Sequence, residues 1–201
     1  MMKKFSNIIF VATGTFLLFH LLFLWMYTNI DGYFYWAFGQ YIKTGIYPFL
    51  PSFTYLRPTT ISPPLYGIFL MLLGFIPRAD IIIHILQLCM LAGTGMLLYT
   101  MLKSFIPKPM ARITAYLFIF FPTNVIFVSS MMTEIPAQFL FTLLTYLLHR
   151  FTQSRNISYL SHAVFLSAVM TLLKYQFLFM TLFSLGLFAY VFFQRHVKRI
   201  V

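Results

Sequence analysis

Acidic side chains are scarce in this chain of 201 residues, which contains only Asp31, Asp80 and Glu134. Charged residues of both signs make up 8% of the composition, whereas 61% of the residues are hydrophobic. A soluble domain needs more polar surface than this to cover its core. The low charge therefore excludes a soluble protein and predicts an all-α integral membrane protein.

Cysteine and metal-binding patterns are also sparse. Cys89 is the single cysteine, so no disulfide can form within the chain. Asp80 and His84 are four residues apart and would share a helix face, as half of a metal site would require. The alternative is that Asp80 caps its helix and His84 packs within the membrane. No metal ligands are assigned, and a divalent metal stays open as a cofactor.

Negative charge is far outweighed by positive charge, with 14 basic residues against 3 acidic ones. Such an excess is typical of nucleic-acid-binding proteins. Here, however, the basic residues lie between long apolar runs, where they anchor membrane helices on the cytoplasmic side. We therefore predict no nucleic-acid partner.

Long charge-free runs divide the chain into helices. At 1.5 Å per residue most of these runs can cross a hydrocarbon core of about 30 Å. They predict about six transmembrane helices in a single module covering residues 1–201. The helices are expected near 7–28, 81–102, 112–130, 135–150, 157–174 and 176–194.

The segment 29–80 is predicted to be an outer loop with two interfacial helices. Prolines around 58–77 leave only about a dozen helical positions there, too few to cross, which favours an interfacial helix near 65–76. This choice places most basic residues inside, as the positive-inside rule requires. All three acids then lie on the outer side. An aromatic helix near 32–43 would begin at Asp31 as its N-cap and end at Gly45.

Two of the outer acids are candidate catalytic residues. Asp31 follows the first predicted span, where aromatic neighbours and low dielectric can tune a carboxylate to accept a proton from a hydroxyl. Glu134 opens a predicted span, and a carboxylate at a membrane boundary is costly unless it is paired or used. The alternatives are structural, namely an N-cap for Asp31 and a favourable helix dipole for Glu134.

Two outer cations are candidate substrate-binding residues. Lys174 ends the fifth predicted span with no acidic neighbour in sequence, so an anionic phosphate is a natural partner. The guanidinium of Arg57 also suits a phosphate. The alternatives are a lysine that extends its ammonium to the membrane interface and a solvated loop arginine.

Three features in this order resemble the GT-C membrane glycosyltransferases. They are an acid on an aromatic helix after the first span, a proline-rich loop that enters Pro63-Pro64-Leu65-Tyr66-Gly67, and Thr133-Glu134-Ile135-Pro136 at a helix start. The pattern is most similar to bacterial relatives of protein O-mannosyltransferases and lipid A aminoarabinose transferases. It covers most of the chain as an ordered pattern.

The resemblance implies a fold, a reaction and residue roles. It implies an inverting glycosyltransferase that uses a polyprenyl-phosphate sugar donor at the outer face of a bacterial or archaeal cell membrane. The acceptor would be a hydroxyl of a glycan, lipid or protein. Asp31 matches the expected catalytic base, Glu134 the second acidic position, and Lys174 a phosphate ligand. Some relatives carry a lysine where this chain has Ser62-Pro63, so that phosphate contact is either missing or supplied by Arg57. Gly32 stands where some relatives have an acid.

The length of the chain leaves an alternative open. Members of the family usually have more spans and often a C-terminal soluble domain, so we expect the N-terminal module of the family, as a fragment, a compact variant or half of a split enzyme. The alternative function is a non-catalytic membrane subunit that binds a lipid carrier or a partner protein. A small transporter is a third option, but it would need polar residues along a membrane path instead of at one face.

Overall fold

The computed structural model describes residues 30–45, 63–73, 79–128, 130 and 132–200. Within these ranges the chain is helical and contains no strand, which confirms the predicted all-α class. Arg57 and the predicted span 7–28 lie outside the described residues. The helices are α1 (Ile30–Thr44), α2 (Pro64–Leu73), α3 (Ala79–Leu102), α4 (Lys108–Ile119), α5 (Pro122–Val128), α6 (Glu134–Ser154), α7 (Ile157–Leu173) and α8 (Leu178–Ile200), with a 3-10 turn at Tyr175–Phe177.

Fewer spans are found in the described residues than the six predicted for the whole chain. Ile81–Leu102 and Tyr175–Gln194 are long and apolar enough to cross a membrane, and α4 with α5 would make a third if they form one bent span. The single helix predicted at 112–130 is wrong, because α4 and α5 meet at 51°. The break lies before Pro122, which has no amide hydrogen to donate and is favoured at the first position of a new helix.

The structure has a helix at each of the two positions where an interfacial helix was predicted. α1 ends at Gly45, whose φ of 69° is the left-handed backbone expected there, and the Gly45 amide donates to the Tyr41 carbonyl at 2.8 Å. The prediction that Asp31 is an N-cap is wrong, because α1 already includes Ile30 and an N-cap has non-helical backbone angles. α2 begins at Pro64, close to the predicted residue 65, and ends at Leu73.

α1 and α2 pack closely because glycine lies where they meet. A Cβ atom on Gly39 would be 2.9 Å from the backbone oxygen of Gly67. No side chain fits there without separating the two helices. This contact fixes α1 on α2, which in turn packs against α3 and α7.

α3 is central in the described bundle and contacts α4, α5 and α6, while α6 packs on α7 and α7 on α8. The turn between α6 and α7 needs only two residues. Arg155 takes a left-handed backbone (φ 56°), and the Asn156 side chain accepts a hydrogen bond of 3.0 Å from the Ser158 amide. This tight reversal makes α6 and α7 antiparallel, so the start of α6 lies beside the end of α7.

His84 is a packed histidine, as the structural alternative predicted. Its side chain is buried on α3, and Nδ1 lies 3.2 Å from the Val128 carbonyl oxygen. In the described part of the chain, no group of three His, Cys, Asp or Glu side chains is placed to hold a metal ion.

Candidate active site

A polar pocket of about 250 Å³ lies at the end of the bundle where α6 begins and α7 ends. It is formed by α1, the residue before α2, the start of α6, and the turn after α7. Its lining residues are Tyr35, Pro63, Met132, Thr133, Glu134, Lys174, Tyr175 and Gln176. The pocket therefore collects residues that are more than 100 positions apart in sequence.

Two helix ends place Lys174 and Glu134 in this pocket. Thr133 precedes α6, as predicted, although its side chain makes no capping hydrogen bond, and Glu134 is the first helical residue. Lys174 is extended (φ −148°, ψ 122°), and its amide donates to the Met170 carbonyl at 2.8 Å, which closes α7. An acid at a helix N-terminus and a cation at a helix C-terminus both have favourable dipole interactions. The two helix ends therefore stabilise the charges that they bring together.

Lys174 and Glu134 form an ion pair, with 2.7 Å between Nζ and Oε1. Each side chain keeps 23% of its surface exposed, so the pair is mostly buried but still reaches the pocket. The second carboxylate oxygen, Oε2, is buried and accepts no hydrogen bond from the described residues. A carboxylate has capacity for several hydrogen bonds. The described residues therefore leave part of the hydrogen-bonding capacity of Glu134 unused.

A buried polar cluster supports the pocket from behind. Gln87 on α3 is almost fully buried, and its Nε2 donates to the Tyr66 hydroxyl at 3.0 Å and to the Met132 carbonyl at 3.2 Å. The Tyr66 ring meets the ring of Tyr35 edge-on, with centroids 5.2 Å apart. Gln87 thereby ties α2 and the segment before Glu134 to the central helix.

The Tyr66 phenol keeps its proton at neutral pH. Burial raises the pKa of Tyr66, and the nearby Glu134 charge raises that pKa further, while the hydrogen bond from Gln87 opposes the shift. A protonated hydroxyl can accept from Gln87 and still donate. Tyr66 is therefore a neutral hydrogen-bonding group in the wall behind the pocket.

Of the four site residues predicted from sequence, the described structure brings Glu134 and Lys174 together. Position 31 lies on α1 one turn before Tyr35, and residues four apart share a helix face. The Asp31 side chain and the whole of Arg57 lie outside what the structure describes. Both therefore stay predictions.

Sequence reasoning missed the ion pair and the cluster around Tyr66 and Gln87. Lys174 has no acidic neighbour in sequence, and a phosphate was the partner predicted for it, but Glu134 lies beside it in space. The signal was available in the short segment between α6 and α7, since a two-residue turn makes adjacent helices antiparallel. No comparable signal pairs Gln87 with Tyr66, because a lone glutamine in an apolar run has no preferred partner.

Glu134 alone is a poor metal site. Mg²⁺ and related divalent ions take several oxygen ligands, and one oxygen of this carboxylate already contacts an ammonium group. The arrangement suits instead the binding of an anion next to the ammonium and of a hydroxyl next to the carboxylate. Tyr35 and Tyr175 add aromatic walls of the kind found in carbohydrate and lipid sites.

Apolar helices, of which two in the described residues are long enough to cross a membrane, define an integral membrane protein, and the charged pocket lies at one end of the described bundle. The family model described as dolichyl-phosphate-mannose-protein mannosyltransferase matches residues 62–201, well over half of the chain. The chain belongs to this family, which places it among the GT-C membrane glycosyltransferases, as the resemblance predicted. The matched region contains Glu134 and Lys174 and begins after Asp31 and Arg57.

Comparison with curated proteins and with solved structures gives no significant match to this chain.

Proposed function

We propose that this protein transfers a sugar from a polyprenyl-phosphate donor to an acceptor hydroxyl, with inversion at the anomeric carbon. The observation that carries the proposal is the Lys174 ammonium in a pocket of about 250 Å³ at the end of an apolar helix bundle. A lipid phosphate needs a cation at the membrane boundary and an apolar surface beside it. Membership of the mannosyltransferase family supports the same donor class.

The proposed reaction is a single displacement. The acceptor oxygen forms a bond to the anomeric carbon while the bond from that carbon to the phosphate oxygen breaks. The electron pair leaves with polyprenyl phosphate, and the acceptor proton passes to the Asp31 carboxylate, which acts as general base. Lys174, with Arg57 as a second contact, stabilises the negative charge that develops on the leaving phosphate.

Glu134, which lines the pocket, would orient the acceptor. The polyprenyl tail would lie along the apolar surface between the interfacial helices and the spans. Ile68 and Leu72 on α2 are exposed and belong to that surface. The acceptor hydroxyl is carried by a glycan, a lipid or a protein.

Donor turnover by the purified chain tests the proposal directly. In proteoliposomes with a panel of polyprenyl-phosphate sugars, polyprenyl-phosphate mannose first, we expect time-dependent release of polyprenyl phosphate. Liposomes that contain the Asp31→Asn variant are the matched control. A chain that binds polyprenyl phosphate but turns over no donor would instead be the non-catalytic subunit.

We also propose that the pocket faces the outside of the cell membrane, as the positive-inside rule predicts. Tyr175 lines the pocket and is exposed, whereas Phe105 is exposed near the far end of α6, where its ring lies 5.4 Å from that of His149. In a Cys89→Ser background, we expect Tyr175→Cys to react with an impermeant thiol reagent in sealed cells. Phe105→Cys should react only after permeabilisation, and the reverse pattern would refute the topology.

A further inference from the structure

The ammonium that is proposed to hold the lipid phosphate already has an anionic partner in this structure. Glu134 Oε1 lies 2.7 Å from Lys174 Nζ. Both side chains line the same pocket, and no other cation is found among the described residues that line it. A donor phosphate that approaches Lys174 therefore meets a carboxylate at the same ammonium.

We propose that Glu134 holds the place of the donor phosphate at Lys174 and yields Lys174 to it. This inference rests on the proposed function. Without donor, the Glu134 carboxylate neutralises the ammonium through Oε1. With donor, the phosphate takes over the ammonium, and Oε1 of Glu134 is released to accept a hydrogen bond from the acceptor hydroxyl.

Charge and burial favour this exchange over simultaneous binding. The pair is mostly buried, and two anions near one ammonium in low dielectric repel each other strongly. Separating the pair completely would leave an uncompensated carboxylate, which is costly. The helix dipole at the start of α6 offsets part of that cost. The released carboxylate then gains from a hydroxyl donor, which links acceptor binding to donor binding.

A double-mutant cycle on polyprenyl-phosphate affinity tests the exchange. The full chain in nanodiscs would be titrated with fluorescent polyprenyl phosphate, as wild type, Glu134→Gln, Lys174→Met and the double variant. We expect Glu134→Gln to bind about tenfold more tightly than wild type. In the Lys174→Met background the same change should leave the affinity unaltered, because the competition has been removed.

Three results would overturn the inference. Unchanged or weaker binding by Glu134→Gln means that the carboxylate does not compete. Tightening that persists in the Lys174→Met background, or that Asp80→Asn reproduces, means general charge repulsion. If Lys174→Met does not fold, Lys174→Gln replaces it. Normal affinity for polyprenyl phosphate in both Lys174 variants would mean that Lys174 does not bind the phosphate. If the chain turns over donor but Glu134→Gln leaves the donor affinity unchanged, the inference fails and the proposed function stands.

Discussion

Asp31→Asn should lower the turnover number for sugar transfer by a factor of about 10²–10⁴, which is the usual contribution of a general base. Asparagine keeps the size of the side chain but cannot accept the acceptor proton. Affinity for polyprenyl phosphate should stay within about twofold, because the phosphate is held elsewhere. The measurement is single-turnover sugar transfer at saturating donor, with donor affinity measured in parallel.

Asp80→Asn is the matched control for this prediction. Asp80 is the third acid of the chain and lies at the start of α3, and no role in transfer is assigned to it. We expect its turnover to match that of wild type. If Asp31→Asn retains full turnover, the base is another group, and Glu134 becomes the next candidate because its carboxylate lines the pocket.

Lys174→Met should lower kcat/KM for the donor by a factor of about 10²–10³, as expected for loss of one group that stabilises transition-state charge. Methionine fills a similar volume without the ammonium. The loss should exceed that of Lys174→Arg, which keeps the charge but places it differently. Donor kinetics in proteoliposomes measure both effects.

The same variant should also be less stable, since Glu134 would be left mostly buried and unpaired. Exposed ion pairs contribute up to about 1 kcal/mol, and breaking a buried pair costs about 3–5 kcal/mol. For a pair with 23% exposure on each side, we expect a loss of about 1–3 kcal/mol between those limits. Thermal unfolding in detergent should show it as a lower midpoint temperature.

Adding Glu134→Gln to Lys174→Met separates the two roles of the lysine. Because the unpaired Glu134 carboxylate is removed, the double variant should regain most of the lost stability, but it should not regain donor turnover. Recovery of turnover in the double variant would mean that Lys174 acts only by keeping Glu134 in place. It would then be a positioning residue without a phosphate contact.

Long charge-free runs, together with the glycine and proline residues that end or break helices, predicted most helices in the described part of the chain. The apolar run at 81–102 became α3, and the glycine after α1 ended that helix as its conformational freedom suggests. These features depend on local preferences. Local preferences can be read from a single chain because each residue acts on its own backbone or on the next turn.

The predictions fail where the structure depends on a contact between residues distant in sequence or on a single proline. Pro122 divides a charge-free run that its length alone predicts to be one helix. The partner of Lys174 lies 40 positions away, across an antiparallel turn. Gln87 is joined to Tyr66 by packing of three helices. Such pairings depend on the relative rotation of helices, which composition does not determine.

The turn between α6 and α7 has only two residues. Glu134 and Lys174 therefore meet only if the number of residues between each of them and the turn is correct. Adding one residue within α7 would rotate everything beyond it by about 100° and advance it by about 1.5 Å. Lys174 would then face away from the carboxylate. We therefore expect the pair to tolerate substitutions on the exposed surfaces of these helices better than insertions or deletions between Glu134 and Lys174.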